Sequence, residues 1–163
     1  MELAIVVAII GIVSAIVIGM NSTTFGVTPS AFSEQLGGSL NLARTRALNT
    51  RRIHRAAVHL EMTPPEIDIW QANTVGMAQA NINSASFVER IRLPSTVTLW
   101  AAVAGAQASG QTPVQTTGEL DIDFYPDGSA TAATLYLTDP KQILQHRVLV
   151  YHATGSAYAR LAW

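Results

Sequence analysis

The first twenty residues constrain the fold more than any other part of the chain. Residues 3–20 carry no charge and no side chain more polar than Ser14. At a rise of about 1.5 Å per residue, a helix of this length approaches the ~30 Å thickness of a bilayer core. A bilayer forces an isolated segment into a helix because every backbone polar group must be satisfied within it. The sequence therefore predicts a hydrophobic helix over residues 1–20 that can span a membrane.

Glu2 directly precedes this apolar segment, and the first positively charged side chain of the sequence is Arg44. A secretory signal peptide has the reverse arrangement, with a basic start, a shorter apolar core and a small-residue cleavage site. A carboxylate at the edge of a membrane span is costly unless it has a partner, and such residues are functional by default. We therefore expect a membrane anchor with a functional Glu2. The alternative is an ordinary single-span anchor whose Glu2 reaches the water interface.

The apolar start resembles the mature N-terminus of the type IV pilin and type II secretion pseudopilin superfamily, on residues 2–13 (ELAIVVAIIGIV). In that family the helix anchors the subunit in the membrane and then packs in the core of a filament. The resemblance implies that Glu2 meets the N-terminal amine of a neighbouring subunit. The chain departs from the family in having only Met1 before this Glu. The residues that the resemblance assigns to assembly are Glu2, Leu3, Ile5, Val6, Ile9, Ile10 and Val13.

Composition limits what the rest of the chain can be. After the apolar segment, ~140 of the 163 residues remain, which is the size of one ordinary domain. The formal net charge of -1 provides no global field to attract a polyanionic partner. The chain contains no cysteine, which excludes disulfides, cysteine-ligated zinc and thiol nucleophiles.

A second helix is predicted after a weak connection. Residues 21–29 are polar and β-branched and include Gly26, so we expect a weak helix or an extended link there. Thr28 followed by Pro29 is typical of an N-cap and the first helical position. The pattern predicts an amphipathic helix over residues 30–52 that continues the spine. Its apolar residues recur at helical spacing and form one stripe: Phe32, Leu36, Leu40, Ala43 and Ala47.

Residues 53–163 show the alternation and turn residues of antiparallel strands. Strands are expected over residues 53–61, 66–70, 87–93, 97–100, 120–124, 130–137, 147–152 and 157–163. The segment 73–86 is small and polar, and we expect a loop there. The segment 101–118 is rich in Ala, Gly, Gln and Thr, and we expect either a long loop or a surface of subunit contact. The sequence therefore predicts an α+β fold, in which a long N-terminal hydrophobic helix packs on an antiparallel β-sheet head domain over residues 53–163.

Three short motifs resemble GspH/FimT-type minor pseudopilins within that superfamily. Residues 43–47 (ARTRA) match an A-R-x-x-A segment on the helix, and residues 124–128 (FYPDG) match an F-x-P-x-G hairpin. Residues 154–155 (TG) match the closing strand pair of the same group. The calcium-binding loop of the major pseudopilins has no counterpart in residues 151–163. These motifs favour a minor subunit, and a major subunit is the alternative.

The pattern of acids and histidines does not predict an enzyme. Asp121, Asp123 and Asp127 could imitate a metal loop, but the first two alternate along the polar face of a strand. Asp127 with Gly128 is ordinary turn chemistry. The histidines lack metal-ligand spacing and an evident catalytic partner: His54, His59, His146 and His152. We therefore expect no catalytic activity, no cofactor and no metal.

Half of the ten basic residues lie within twelve positions, with no acid between them: Arg44, Arg46, Arg51, Arg52 and Arg55. Arginine pairs with phosphate through two hydrogen bonds, so this cluster is a candidate nucleic-acid or subunit contact. The alternatives are a solvated helix end, where cations suit the helix dipole, and ion pairs between subunits, with the acidic strands of a neighbouring copy. FimT-like proteins include DNA-uptake pilins, although their basic C-terminal segment has only Arg160 as a counterpart here.

Together with the resemblance, these features predict a structural subunit of a type IV pilus or type II secretion pseudopilus. The expected location is the inner membrane, in a single pass, before assembly and a periplasmic or cell-surface filament afterwards. The resemblance implies three kinds of partner: other pilin or pseudopilin subunits, the prepilin peptidase and the inner-membrane assembly platform. A DNA-binding minor pilin is the alternative function.

Overall fold

The computed structural model describes residues 27–76, 85–103 and 115–161. The predicted apolar helix over residues 1–20 and most of the link over residues 21–29 lie outside these ranges. The same is true of every assembly residue from Glu2 to Val13. Within the described ranges, no helix is long and apolar enough to cross a membrane.

Helix α1 runs over Pro29–Thr50. Thr28 caps its start, because its hydroxyl oxygen accepts a hydrogen bond from the backbone N–H of Ala31 at 3.3 Å. Arg51 adopts a left-handed conformation with φ 53° and ends the helix two residues before the predicted limit. All five residues of the predicted apolar stripe are buried: Phe32, Leu36, Leu40, Ala43 and Ala47.

Eight strands follow α1 in the described part of the chain: β1 (His54–His59), β2 (Glu66–Gln71), β3 (Ser86–Arg92), β4 (Thr98–Val103), β5 (Glu119–Phe124), β6 (Ala133–Thr138), β7 (Gln145–Val150) and β8 (Ala157–Leu161). They form two antiparallel four-stranded sheets. The strand order is β3-β2-β1-β5 in sheet 1 and β4-β6-β7-β8 in sheet 2. One helix with antiparallel sheets confirms the predicted α+β class, but the head has two sheets.

The chain changes sheets after the predicted turn over residues 125–129. Phe124 and Ala130 form only an isolated bridge, and the next strand, β6, begins at Ala133 in sheet 2. The backbone N–H of Ala130 donates to the carbonyl oxygen of His152 at 2.9 Å. This bond places Ala130 beside the turn that joins β7 to β8, and Thr131 still donates to the carbonyl oxygen of Asp123 on β5 at 2.8 Å.

The core lies between α1 and the inner faces of both sheets. Leu36 and Leu40 from the helix are fully buried, together with Ile122 from sheet 1 and Leu135 and Val148 from sheet 2. Each large apolar side chain buried in this way stabilises the fold by about 1.5–3 kcal/mol. Because α1 contacts β7 and β8 as well as β1, it joins the two sheets into one head.

The side chain of Asn41 binds the backbone of β8. Its Nδ2 donates to the carbonyl oxygen of Ala157 at 2.8 Å, and its Oδ1 accepts from the N–H of the same residue at 2.9 Å. One helical turn earlier, a Cβ at Gly37 would lie 3.8 Å from the backbone nitrogen of Ala159. Strand β8 therefore runs antiparallel to α1, and Asn41 occupies part of its free edge.

This direction fixes which turns lie at the start of α1. Leu161 ends β8 and pairs with His146 near the start of β7, so the loop over residues 139–144 lies at the same end. Thr96, before β4, donates to the carbonyl oxygen of Val27 at 2.8 Å. We call this end of the head the entry end, and define it by Val27, Thr96, residues 139–144 and Leu161.

Candidate functional site

The three motifs noted in the sequence meet at one point of the head. Arg44 lies on α1 between the buried Ala43 and Ala47, and its Nε donates to the carbonyl oxygen of Gly128 at 3.4 Å. Gly128 belongs to the turn after β5, and Gly155 belongs to the turn between β7 and β8. We call these three residues, Arg44, Gly128 and Gly155, the motif junction.

The motif junction requires glycine at position 155. The backbone of Gly155 has φ +58°, and a Cβ there would lie 2.5 Å from the carbonyl oxygen of Gly128. The same Cβ would lie 3.2 Å from Cδ of Arg44. The two turns can therefore touch beneath Arg44 only because Gly155 has no side chain. The junction joins the helix to both sheets and has a structural role.

The outer face of sheet 1 carries ion pairs between neighbouring strands. Arg55 on β1 binds Asp123 through two hydrogen bonds of 2.7 and 2.8 Å, and its Nη1 lies 2.6 Å from Asp121. Arg90 on β3 binds Asp68 on β2 in the same two-bonded way. Acidic strands thus alternate with basic ones across the sheet, and two of the carboxylates, Asp68 and Asp123, are buried.

The pKa values of two of these carboxyl groups are shifted in opposite directions. Hydrogen bonds from Arg90 hold the pKa of Asp68 below its usual value, despite burial. Burial raises the pKa of Asp121, and the nearby charge of Arg55 only partly offsets this effect. Oδ1 of Asp121 is buried without a hydrogen-bond partner.

One arginine side chain, that of Arg55, pairs with two acidic residues of β5. The guanidinium of Arg55 fills the space between Asp121 and Asp123. Asp127 instead accepts hydrogen bonds from the backbone and hydroxyl of Ser129 in its own turn. Across the three described ranges, no group of three histidine or carboxylate side chains could hold a metal ion.

The five clustered arginines point to different neighbours. Arg44 belongs to the motif junction, Arg46 pairs with Glu89 at 3.1 Å, and Arg55 binds the acids of β5. Arg51 is exposed and its carbonyl oxygen accepts from the N–H of Gly76. Arg52 is half-buried in a bridge with that glycine. Three of the five side chains are therefore held within the head.

The four histidines occupy separate places. His54 is fully buried, its Nδ1 lies 3.2 Å from the carbonyl oxygen of Arg52, and its Nε2 has no hydrogen-bond partner. Burial lowers the pKa of His54. His59 lies between Asp68 and Glu119 and lines a shallow cavity of about 420 Å³. His146 is buried in β7, and His152 bonds to the carbonyl oxygen of Ala130.

The sequence could predict some of these contacts but not others. The alternation in EIDIW and RIR signals one charged face on β2 and on β3, so cross-strand ion pairs could have been expected once the two were paired. Asn41 gave no such signal, because an asparagine within an amphipathic helix usually faces water.

No protein-family model matches this sequence. No curated protein matches it either. The fold is similar to two structures of EpsH, the minor pseudopilin from the type II secretion system of Vibrio cholerae. The TM-scores are 0.54 and 0.52, the sequence identities are 12% and 14%, and the likeness covers 79% and 81% of this chain. It covers 93% and 91% of the EpsH chains.

The chain has a minor-pseudopilin fold. The predicted resemblance to pseudopilins is therefore confirmed at the level of the fold. Within this pseudopilin fold, the motif junction gives the short sequence motifs a physical meaning. They mark the residues that hold the helix against the two turns.

Proposed function

We propose that this chain is a structural subunit of a type II secretion pseudopilus. The observation that carries the proposal is a minor-pseudopilin fold joined to a sequence that is uncharged over residues 3–20. Because α1 begins at Pro29, residues 21–28 are all that separates the apolar segment from the helix of the described head in the sequence. A related type IV pilus subunit would share all of these features.

The proposed mechanism uses one apolar segment twice. Residues 1–20 anchor the subunit in the inner membrane and then pack with the same segments of other subunits in the filament. Because lipid tails are as apolar as these side chains, the transfer from the bilayer to the filament gains little from the hydrophobic effect, and close packing between helices stabilises the filament core. The side chains that we assign to this packing are Leu3, Ile5, Val6, Ile9, Ile10 and Val13.

Glu2 has a separate role in the proposal. An unpaired carboxylate in an apolar filament core is costly, so each Glu2 needs a cationic partner. We assign this partner to the N-terminal amine of a neighbouring subunit, which would set the position of each new subunit. The prepilin peptidase and the inner-membrane assembly platform complete the proposed set of partners. This role requires no catalysis by the head.

The first experiment replaces Glu2 in the full chain and separates membrane insertion from assembly. We expect Glu2→Ala to remain in the membrane fraction but to form no filaments by electron microscopy. Glu34→Ala is the matched control, because Glu34 is an exposed carboxylate on α1. Filament formation by Glu2→Ala at the level of the control would contradict the role of Glu2. Recovery of the unmodified chain outside the membrane fraction would contradict the anchor itself.

DNA capture is the competing proposal. Within the arginine cluster, DNA capture depends mainly on Arg51 and Arg52, since ion pairs hold Arg46 and Arg55. A protein that binds DNA through phosphates needs several free cations, and each contributes to the salt dependence of binding. The head offers few near the end of α1, and for this reason we favour the filament role.

A further inference from the structure

The entry end of the head exposes large aliphatic side chains. Leu161 is 80% exposed and Ile143 is 72% exposed, which are the two highest values for large hydrophobic residues in the described ranges. Leu144 and Val27, at the same end, are 49% and 41% exposed. Single exposed aliphatic residues are common on protein surfaces, but four at one end of a small domain indicate a contact.

The loop that carries Ile143 and Leu144 has a fixed shape. Oδ1 of Asp139 accepts hydrogen bonds from the backbone N–H groups of both residues at 2.7 Å. The carbonyl oxygen of Asp139 accepts from the N–H of Gln142, which adopts φ 57°. The carboxylate is thus directed into the loop. The two aliphatic side chains point outwards, and the loop backbone does not need to become ordered before they make a contact. A preformed apolar surface binds at a lower entropic cost than a flexible one.

The covalent connection limits how far this surface can lie from the apolar segment. Val27 is seven residues after Met20, the last residue of that segment. Even a fully extended chain of this length spans only ~25 Å. If residues 1–20 lie in a bilayer, the entry end remains within this distance of the lipid headgroups. Tethering keeps the local concentration of lipid surface high, so even a weak contact is populated.

The loop also provides one cation that suits an anionic lipid surface. Lys141 is exposed next to Ile143 and Leu144. Asp139 in the same loop keeps its negative charge, since hydrogen bonds from backbone N–H groups lower its pKa, but these bonds direct its carboxylate into the loop. A lysine beside exposed aliphatic residues is typical of segments that lie in the headgroup region of anionic membranes.

We propose that, before assembly, the head rests on the membrane through the entry end, with Ile143, Leu144 and Leu161 in the lipid interface and Lys141 among anionic headgroups. This inference rests on the proposed anchoring by residues 1–20. It adds a second membrane contact, made by the folded head. Leaving the membrane would then require the assembly machinery to detach the head as well as to extract the anchor.

The test uses the absence of cysteine from the chain, which allows one label at one chosen place. Ile143→Cys in the full chain is labelled with a polarity-sensitive fluorophore and reconstituted in vesicles of phosphatidylethanolamine and phosphatidylglycerol. Leu161→Cys is a second position at the entry end. Tyr151→Cys is the matched control, because Tyr151 is 46% exposed in the turn at the opposite end of sheet 2.

We expect a lipid-attached quencher to reduce the emission of both entry-end labels at least twofold more than that of the control. The effect should not depend on the protein-to-lipid ratio. Equal quenching of all three labels on chains that float with the vesicles overturns the head contact and leaves the anchor intact. An entry-end signal that grows with protein density overturns the lipid assignment in favour of a neighbouring copy. Chains that do not float overturn the anchor and the inference together.

Discussion

At the scale of single residues, Gly155 shows how much depends on one absent side chain. Its left-handed backbone and its contact with Gly128 exclude a Cβ atom. We expect Gly155→Ala to lower the free energy of unfolding by about 2–4 kcal/mol, since the strained backbone and the steric clash add. Urea denaturation of the full chain in mild detergent, followed by tryptophan fluorescence, measures this change.

Gly38 provides the matched control for that prediction. It lies in the interior of α1, and a Cβ there would meet no atom within 4 Å. Gly38→Ala should therefore raise the free energy of unfolding by about 0.5–1 kcal/mol, because alanine favours a helix over glycine. Similar losses in both variants would contradict the special role of the motif junction.

The second prediction concerns His54 and pH. Burial lowers the pKa of His54 in the folded state below its ordinary value of 6.5, so the unfolded chain binds more protons there. The stabilisation is complete above about pH 6.5 and decreases as the pH falls below it, by at most ~1.4 kcal/mol per pH unit. His54→Leu should flatten the stability profile between pH 7 and pH 5.

Asp68 titrates at lower pH than His54, which keeps the two effects apart. The pKa of Asp68 is lowered by Arg90, so its contribution is present above the ordinary value of 3.8 and is lost as the pH falls further. Urea titrations at half-unit pH steps measure both windows. A His54→Leu variant that keeps the full slope between pH 7 and pH 5 would show that other groups cause it.

At the scale of secondary-structure elements, local patterns predicted the helix and the approximate strands. The apolar stripe from Phe32 to Ala47 follows from the 3.6-residue period of a helix. The helix ends before the predicted limit because Arg51 adopts a left-handed conformation. The partners of the strands could not be predicted in this way. The strand that begins at Ala133 could in principle pair with β5 or join sheet 2. The choice depends on contacts with residues around His152, which are distant in sequence.

In the candidate site, too, the local motifs could be predicted from the sequence but their contacts could not. The motifs around Arg44, Gly128 and Gly155 were visible in the sequence, but no local rule brings together residues 84 positions apart, as Arg44 and Gly128 are. The resemblance to a family suggested that these motifs matter without giving the reason. The reason is a contact between two turns and a helix, which only the folded chain contains.

Asn41 supports the third prediction, at this scale. Asn41→Asp keeps the acceptor for the N–H of Ala157 but removes the donor to its carbonyl oxygen and places a negative charge there. We expect the free energy of unfolding to fall by about 1–3 kcal/mol, since a part-buried carbonyl oxygen loses its partner. Thr45→Ala, which removes an exposed bond within α1, should cost less than ~0.5 kcal/mol. Equal losses would contradict the link between helix and strand.

At the scale of the whole molecule, the two sheets differ in charge. Sheet 1 balances acidic strands against basic ones, whereas the four strands of sheet 2 contain no aspartate or glutamate. With a net charge of -1, the chain has no dominant field. Long-range attraction to a polyanion is therefore weak, and subunit contacts depend on the shape and local chemistry of each surface.

This charge distribution gives the fourth prediction. The double variant Arg51→Glu and Arg52→Glu should bind duplex DNA no more weakly than the unchanged chain at 150 mM salt, because neither chain should bind specifically. Retention on immobilised DNA across a salt gradient measures this. Salt-sensitive retention of the unchanged chain that the double variant loses would favour DNA capture over a purely structural role.

The amide of Asn41 has a consequence for a protein that polymerises. A bare strand at the rim of a sheet invites strands of other molecules to join it, and such growth ends in amyloid-like fibres of the wrong geometry. By occupying the backbone of Ala157, one side chain blocks part of that route on β8. Ordered polymer growth can then proceed through the intended contacts, without competition from uncontrolled sheet extension at this rim.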